Sequence, residues 1–388
     1  VSGTYMQVLP RFFSVDEDGS THDFLLEQFD DPYLMLSLVF LKGYQWPFDV
    51  RKVSEGSSII DLLVYRELEQ GRRVYLDFAQ NPVGGPLDFA ALQPEAYTYL
   101  KQSGATFGLP IDRLKVMNTP AYDFYREHGI DLAQEPLEIS LCAQHNNGGV
   151  AVDLWWQSTV RGMFAVGEVA GTHGVYRPGG SALNAGQVGS ARAASYILAK
   201  RHDDSWQPSP CCLEQVNDIL NMATEAIGPK DTAFPVYRRV RKLMSMHASL
   251  IREQEAIEAL QKEVVGYLKG FSSLQVESPS GLPLLFRLRD CLLSQTVYLS
   301  AMAEYLKAGG TSRGSSLYLS KEGQHVHPLL PSSFRSHLAT GDMLPRIQEI
   351  TLKDGEISVS WRDPHPIPKE NVFFETVWKA FREHGNIL

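Results

Sequence analysis

Apolar and polar positions alternate along the first third of the chain in patterns that predict short helices and strands. One helix is predicted by apolar residues that recur at helical spacing: Ile59, Ile60, Leu63 and Val64. The run 74–78 that follows is rich in β-forming residues and predicts a strand. Residues 81–86 combine prolines with glycines, so we expect a loop after that strand.

The densest pattern lies between residues 141 and 200. A short apolar run at 163–166 predicts a buried strand, and a glycine-rich stretch follows it from Gly167 to Gly180. From about Ser181 to Ala199, small residues at helical spacing predict a helix that packs closely on a neighbour.

The pattern from about Glu214 to Leu306 is helical, and two apolar stripes predict the faces of a helical bundle. The first stripe comprises Val236, Val240, Leu243, Met244, His247, Leu250 and Ile251. The second comprises Leu285, Leu288, Leu292, Val297 and Met302. Gly309-Gly310 should end the last helix, and residues 350–359 predict a hairpin with an Asp-Gly turn.

Length and charge narrow the class of protein. With 388 residues the chain exceeds a single core, so we expect two or three domains. Its 45 acidic and 36 basic residues give a formal net charge of -9, which offers no basic surface for nucleic acid. No apolar run approaches the roughly 20 residues that a membrane-spanning helix needs.

The four cysteines are too few for a disulfide framework in a chain of this length and predict reduced thiols in a cytoplasmic protein. The adjacent pair Cys211-Cys212 lacks the two-residue spacing of zinc ligands, so we expect no metal site. The chain opens on Val1-Ser2-Gly3 rather than on Met, and we expect its natural beginning to lie upstream.

A carboxylate and a helix start flank the glycine-rich stretch. Glu168 directly follows the predicted strand, where a carboxylate can accept both hydroxyls of a ribose. Further along, Ser181 opens a helix directly after Gly179-Gly180. Glycines let the backbone approach a ligand, and the free N–H groups of a helix start favour negative charge. This pattern suits either a diphosphate or the charge that develops at N1 and O2 of a reduced flavin.

Polar residues on neighbouring loops add a candidate substrate site. Arg177 is suited to clamp a carboxylate, because a planar guanidinium pairs with it bidentately. His173 lies in the same loop, and His145 precedes the glycine loop 146–149. A lone histidine is more often structural than a ligand, but three polar groups around glycine loops favour a site.

Three sequence blocks resemble the flavoprotein subunit of fumarate reductase and succinate dehydrogenase, whose superfamily also includes aspartate oxidase. The blocks are residues 145–149 (HNNGG), 162–168 (GMFAVGE) and 173–183 (HGVYRPGGSAL), and their order and spacing agree with the family. The resemblance covers residues 140–320 well, up to a Thr-Ser-Arg-Gly turn at 311–314, and the two ends only weakly.

The resemblance implies FAD as the cofactor. Glu168 would bind its ribose, and backbone groups would hold the pyrimidine side of the flavin: Gly179, Gly180, Ser181 and Leu183. His145 and Arg177 would be the catalytic residues, binding a substrate carboxylate above the ring. His173 would lie near the flavin, with a hydrogen bond that stabilises its own loop as the alternative.

Three departures from the family pattern matter. The opening GxGxxG segment is absent, so we expect this chain alone to bind FAD poorly and to expose an apolar face. Ser57 or a neighbour stands where the family has its proton-donating arginine, and Leu9 stands where it has a substrate-binding histidine. Arg11 or Arg51 could compensate. These losses argue against ordinary succinate or fumarate chemistry.

The implied fold is α/β: an incomplete FAD-binding domain, an α+β capping domain and a C-terminal helical domain. We expect the capping domain at residues 1–140 and a returning segment of the FAD-binding domain at 141–205. The helical domain would follow at 206–320, and a tail with the β-hairpin at 321–388.

The implied function is that of an FAD-dependent oxidoreductase, with hydride transfer between flavin N5 and an unidentified substrate that carries a carboxylate. Its partners would be this small molecule, the N-terminal FAD-binding half that is absent from this chain, and an electron-transfer protein. One alternative is a non-catalytic or truncated flavoprotein-like partner. Another is an enzyme like L-aspartate oxidase.

Overall fold

A computed structural model describes residues 3–45, 47–142, 147–177, 180–200, 210–339, 345–353, 356–364, 366 and 374–384. The helices are α1 (Thr4–Gln7), α2 (Phe24–Gln28), α3 (Pro32–Tyr44), α4 (Ser58–Glu69), α5 (Pro94–Gln102), α6 (Pro110–Met117), α7 (Thr119–Glu127), α8 (Ser181–Lys200), α9 (Pro210–Glu225), α10 (Ala233–His247), α11 (Gln254–Lys269), α12 (Leu282–Lys307) and α13 (Phe374–His384). The strands are β1 (Arg11–Val15), β2 (Thr21–His22), β3 (Arg73–Asp77), β4 (Leu137–Ile139), β5 (Ile251–Arg252), β6 (Leu317–His325), β7 (Arg335–Ser336), β8 (Ile347–Lys353) and β9 (Glu356–Arg362). The α/β class that the sequence predicts is confirmed.

The chain divides into two compact units. The first unit comprises residues 1–142, 249–253 and 311–339, and the second comprises 143–248, 254–310 and 340–388. The four domain bounds proposed from the sequence stay a prediction, since compactness groups residues 311–339 with the first 142 residues.

An antiparallel sheet organises the first unit, in the order β2-β1-β3-β4. Phe12 pairs with Leu76 across its centre, and both side chains are buried. The strand predicted at 74–78 and the helix predicted around Ile59 are therefore confirmed as β3 and α4. The apolar helices α3 and α4 contribute to the same core, in which Leu36 and Leu62 are fully buried.

The start of α3 shows why this helix begins where it does. The Asp31 side chain accepts hydrogen bonds from the backbone N–H groups of Tyr33 and Leu34, and Pro32 occupies the first turn. The helix that follows is almost wholly apolar and is buried from Met35 to Gly43. Such a helix needs a core on all sides, and the first unit provides one.

A buried arginine fixes the turn that leads into β1. Arg113 is fully buried, and its guanidinium donates to Val8 O, Phe107 O, Gly108 O and Asn81 Oδ1. Burial lowers the pKa of Arg113 to about 10. Leu9, the residue after Val8, is also fully buried and has a positive φ of 53°, which is rare for a residue with a side chain.

The first apolar stripe of the helical region is only partly helical. Helix α10 ends at His247, so the prediction that Leu250 and Ile251 continue it is wrong. Leu317 N donates to Leu250 O at 2.8 Å, and β5 pairs in parallel with β6. These two residues are buried in the core of the first unit because a strand partner is available there.

Helices α10, α11 and α12 pack together in the second unit, which confirms a helical bundle. Leu285, Leu288 and Leu292 of the second stripe are fully buried. Helix α12 ends at Lys307, and Gly309 adopts a φ of 85°, as its predicted role as a helix stop requires.

The predicted hairpin near the C-terminus is confirmed as β8 and β9, which pair antiparallel with Ile350 opposite Val359. Its predicted Asp-Gly turn lies outside the described residues. Gln348 Nε2 donates to Ala301 O at 3.1 Å, which ties the hairpin to α12.

The prediction of a buried strand at residues 163–166 is wrong. Phe164 forms a single antiparallel bridge to Gln157, and Met163 is 56% exposed. An extended run becomes a strand only where a neighbouring strand completes its ladder, and among the described residues Gln157 is the only bridge partner.

None of the helices built from the described residues combines the length and the apolar character needed to cross a lipid bilayer.

Candidate functional site

Helix α8 is the longest element of the glycine-rich region and confirms the small-residue helix predicted from Ser181. A Cβ atom added at Gly189 would lie 2.6 Å from Cε2 of the Trp156 indole. Only glycine therefore lets the helix rest on this ring. Trp156 itself has a φ of 63°, so the loop holds the ring in a strained backbone conformation.

An aromatic cluster holds the second half of α8 against the same loop. Arg192 Nε donates to Leu154 O at 3.1 Å, and its guanidinium lies 4.4 Å from the centroid of the Trp155 ring. Trp155 also stacks on Tyr196 with ring centroids 5.6 Å apart. Cation–π and stacking contacts of this kind fix the helix without a large aliphatic core.

The Glu168 turn lies beside the first half of α8. Residues Gly167–Ala170 form a 3₁₀ turn, with Gly167 at a φ of 75° and Gly171 at 63°. A Cβ atom at Gly186 of the helix would lie 3.6 Å from Gly167 Cα, which is ordinary contact. Glu168 is exposed on this turn, where its carboxylate is accessible to a ligand.

The glycine loop that follows His145 lies against the Glu168 turn. Val150 N donates to Val169 O at 2.7 Å. A Cβ atom at Gly149 would lie 2.6 Å from Gly171 N, and one at Gly171 would lie 2.8 Å from Gly149 N. The two backbones therefore touch, and the end of the first block of the family resemblance lies against the residues that directly follow the second.

Buried polar atoms without partners mark the loop between Glu168 and α8. His173 is only 6% exposed, yet neither of its ring nitrogens has a hydrogen-bond partner among the residues that the structure describes. The same holds for Arg177 Nε and for Trp156 Nε1. Leaving such groups unsatisfied costs about 1–3 kcal/mol each, so this loop is suited to a polar ligand.

The start of α8 is placed as expected. Gly180 has a φ of 77° and Ser181 is the first residue of the helix. Leu183 in the first turn is 78% exposed. His145 and Gly179, which were predicted as catalytic and cofactor-binding residues, lie outside the described residues.

Several large apolar side chains are exposed along residues 150–198, and the exposed apolar face expected from the sequence stays a prediction. Leu154 is 75% exposed, Leu183 78% and Leu198 79%, with Met163 and Val169 at 56% and 55%. Patches of this kind mark surfaces that another protein segment or a ligand covers.

The two positions that depart from the family pattern lie in the first unit. Leu9 is fully buried, and the buried Ser57 precedes α4. Arg11, one possible replacement for the lost cations, is held bidentately by Asp23 at 2.6 and 3.0 Å. The other, Arg51, is bound to its neighbour Asp49 at 2.6 Å. Both guanidinium groups are thus committed to carboxylates of the first unit.

Comparison with known proteins agrees with this geometry. A family model described as an FAD binding domain matches residues 57–183. One chain of the CoM/CoB fumarate reductase of Methanothermobacter marburgensis is 26% identical over 156 residues, which cover 39% of this chain and 28% of that protein. Part of this chain is thus similar to an FAD binding domain and to a fumarate reductase subunit. The resemblance inferred from the three sequence blocks is thereby confirmed.

Two further comparisons concern an L-aspartate oxidase and a solved structure. An L-aspartate oxidase of Streptomyces coelicolor is 41% identical over 156 residues, covering 35% of this chain and 26% of that protein. The solved Sdh1 complex of Mycobacterium smegmatis with UQ1 aligns with a TM-score of 0.53 and 18% identity, over 81% of this chain and 51% of that one. The chain therefore spans under a third of these two curated relatives and about half of the solved chain.

The cofactor predicted from the sequence, FAD, is confirmed by the matched domain. The residues present fit such a group. Gly167 and Gly180 have positive φ values, and Cβ atoms added there would meet open space, so a ligand could approach the backbone at both positions. Within the described part of the chain, the two His173 ring nitrogens and Arg177 Nε have no hydrogen-bond partner, so this loop has polar groups that a ligand could bind.

Trp156 and the contact between Gly149 and Gly171 were missed by sequence reasoning. The adjacent Trp155 and Trp156 were a visible signal, because tryptophan side chains are on average highly buried. The backbone approach of Gly149 to Gly171 had no sequence signal beyond the glycines themselves, since it joins residues 22 positions apart.

Proposed function

We propose that this chain is part of an FAD-dependent oxidoreductase that acts on a carboxylate-bearing small molecule. The observation that carries the proposal is the loop between Glu168 and α8. Its Gly171 touches the backbone of Gly149, and its His173 ring nitrogens and Arg177 Nε have no hydrogen-bond partner among the described residues. Bound FAD would supply hydride acceptance and donation at N5.

Each predicted site residue keeps a role in this proposal. Glu168, on its exposed turn, would accept hydrogen bonds from the ribose hydroxyls of the cofactor. Gly179, Gly180, Ser181 and Leu183 would provide backbone N–H groups along the pyrimidine edge, with the positive end of α8 favouring charge there.

Substrate orientation would rest on Arg177 and His145. The guanidinium of Arg177 can hold one carboxylate in a bidentate pair, which fixes both its position and its plane. His145 would bind beside it. His173 would donate a hydrogen bond to the flavin or to the bound carboxylate, which would satisfy a buried ring nitrogen that finds no partner in the described part of the structure.

The exposed apolar side chains of residues 150–198 support an N-terminal FAD-binding half as the partner that covers them. That half would bring the glycine-rich turn for the diphosphate. An electron-transfer protein is a further proposed partner, because a reduced flavin must pass its electrons on to an acceptor. A cytoplasmic location stays a prediction from the low cysteine content.

One alternative activity has its own support. The 41% identity to an L-aspartate oxidase over 156 residues favours an enzyme of that branch, oxidising an amino-substituted dicarboxylate rather than an unsubstituted one. A second alternative is a chain that keeps the loops for folding and binds no flavin. Leu9 and Ser57, at positions where the family has a histidine and an arginine, favour that alternative.

The test is a flavin titration of the purified chain, with and without an FAD-binding segment supplied from a flavoprotein relative, followed by absorbance and fluorescence. We expect stoichiometric FAD uptake that requires the added segment and weakens at least tenfold in Glu168→Ala. Glu277→Ala, which removes an equally exposed carboxylate elsewhere in the second unit, should leave uptake unchanged. No uptake by a folded, associated mixture would favour the alternative without flavin.

A further inference from the structure

Helix α10 concentrates positive charge in a chain whose formal net charge is -9. Its 15 residues include no carboxylate and four exposed cations, which are Arg238, Arg239, Arg241 and Lys242. Arg239 donates to both carboxylate oxygens of Glu263 on α11, at 2.5 and 3.1 Å. The other three cations form no ion pair with the residues that the structure describes.

These three cations share the solvent side of α10 with two exposed apolar residues. The basic face of the helix comprises Phe234, Arg238, Arg241, Lys242 and Met246. Residues at such helical spacing lie on one side of a helix. Val240, on the opposite side, is fully buried where α10 packs on α11 and α12. Helix α8, in contrast, packs on the Glu168 turn, so the basic face belongs to the helical bundle rather than to the proposed flavin wall.

Aromatic rings hold two of the guanidinium groups of the basic face. The Arg238 guanidinium lies 5.7 Å from the centroid of the Phe234 ring, and that of Arg241 lies 5.0 Å from the centroid of Tyr237. A side chain held in this way loses less conformational entropy when it binds a partner. Each planar guanidinium can pair bidentately with a carboxylate, so the basic face is suited to a surface rich in Asp and Glu.

The residue types and the size of the basic face favour one class of partner. Phe234 and Met246 are each 45% exposed among the cations. Arginine, methionine and aromatic residues are enriched where proteins bind proteins, whereas nucleic acid is held mainly through polar contacts to phosphates. One face of one helix is too small for a stable dimer, but complexes of electron-transfer proteins are weak and have small interfaces.

We propose that the basic face of α10 docks an electron-transfer protein whose own surface is acidic. Carboxylates of that protein pair with Arg238, Arg241 and Lys242, and the opposite charges speed the encounter. Phe234 and Met246 provide the apolar contacts. The role of this protein as electron acceptor for the flavin rests on the proposed function, whereas its binding to α10 does not.

Titration of the whole chain with an acidic [2Fe–2S] ferredoxin, followed by calorimetry at low and at high salt, tests this proposal. We expect saturable binding that weakens as salt rises and that Arg241→Glu weakens at least tenfold. Lys101→Glu makes the same change of charge on α5, where Lys101 is exposed and lies over the Tyr97 ring, and should leave binding unchanged. Arg241→Lys keeps the charge and should retain most of the affinity, which separates loss of charge from loss of folding.

Several outcomes would overturn the proposal: no ferredoxin binding at low salt, binding that Arg241→Glu leaves unchanged, or tighter binding of a DNA oligonucleotide at the same salt. Loss of ferredoxin binding when an FAD-binding segment is supplied would also overturn it, since that segment would then cover the basic face. Ferredoxin binding that persists in a mixture unable to take up flavin would support the docking site and contradict only the proposed function.

Discussion

The sheet of the first unit and the glycine-rich loop of the second bury their residues by different means. Around the sheet, large aliphatic and aromatic side chains are fully buried, among them Leu36, Leu62 and Leu76. Between residues 147 and 200, the buried apolar side chains in the described structure are those of alanines: Ala165, Ala170 and Ala193. The loop is held instead by glycine contacts and by rings stacked on α8.

The difference in the size of the buried side chains shows that the two regions are stabilised in different ways. Each fully buried Leu contributes roughly 1.5–3 kcal/mol by leaving water, and the first unit has many of them. Alanine contributes little, so the loop and α8 depend on whatever covers Leu154, Leu183 and Leu198. The first unit has its own core, whereas the glycine-rich region is the wall of the proposed flavin site.

The largest effect we predict comes from a matched pair of leucines. Leu76→Ala in β3 removes a fully buried side chain and should lower the free energy of unfolding by about 2–5 kcal/mol. Leu183→Ala removes a side chain that is 78% exposed and should change it by less than about 0.5 kcal/mol. Urea unfolding of both variants measures the difference. If both variants lost the same free energy of unfolding, the Leu183 side chain would be buried in solution.

A second prediction concerns two glycines three residues apart. Gly171→Ala forces a side chain into a φ of 63° and within 2.8 Å of Gly149 N, which should cost about 1–3 kcal/mol in strain. FAD uptake in the presence of a supplied FAD-binding segment should fall about tenfold or more. Gly174→Ala meets open space at an ordinary φ and should retain uptake. If the two variants took up FAD equally well, the Gly149–Gly171 contact would not be needed for flavin binding.

The smallest effect is a pH dependence confined to the first unit. Asp16 accepts hydrogen bonds from His22 at 2.6 Å and from Arg72 at 2.7 Å, and these bonds hold the pKa of its carboxyl below the usual 3.8. A lowered folded pKa gives stability that is present above the unfolded pKa and is lost as pH falls through the folded value. The loss should therefore begin near pH 4 and continue below it.

Thermal unfolding of Asp16→Asn between pH 2 and 7 measures this contribution. The variant should be less stable than the wild type at neutral pH, and the two curves should converge in acid. Glu138→Gln, an exposed acid on β4, serves as the control and should follow the wild type more closely. Curves that run parallel at every pH would contradict the role of the Asp16 hydrogen bonds.

Much of this molecule could be predicted from residue order alone, because local signals agreed with the fold. The spacing of Ile59 and Leu63 predicted α4, and the glycine-rich blocks predicted the Glu168 turn and α8. The strand at 163–166 failed because a strand depends on a neighbour, which an isolated apolar run does not specify. Leu250 failed similarly, since its partner Leu317 lies far along the chain.

In the candidate site, too, residues with local sequence signals were predicted and contacts between distant residues were not. Glu168 and Ser181 were predicted because turn and helix signals are local. Trp156 was missed because its role is to support Gly189, a contact between residues that are distant in sequence. Contacts of this kind follow from tertiary packing, so they cannot be predicted from periodicity or motif spacing.

Hydrogen–deuterium exchange tests the central claim most directly. We predict that in the chain alone, peptides from residues 147–200 exchange much faster than those from residues 58–77. A supplied FAD-binding segment together with FAD should slow exchange in 147–200 and leave 58–77 unchanged. Residues 147–200 that are already protected in the chain alone, or that gain no protection from the segment and FAD, would contradict the account of this region as one wall of a flavin site.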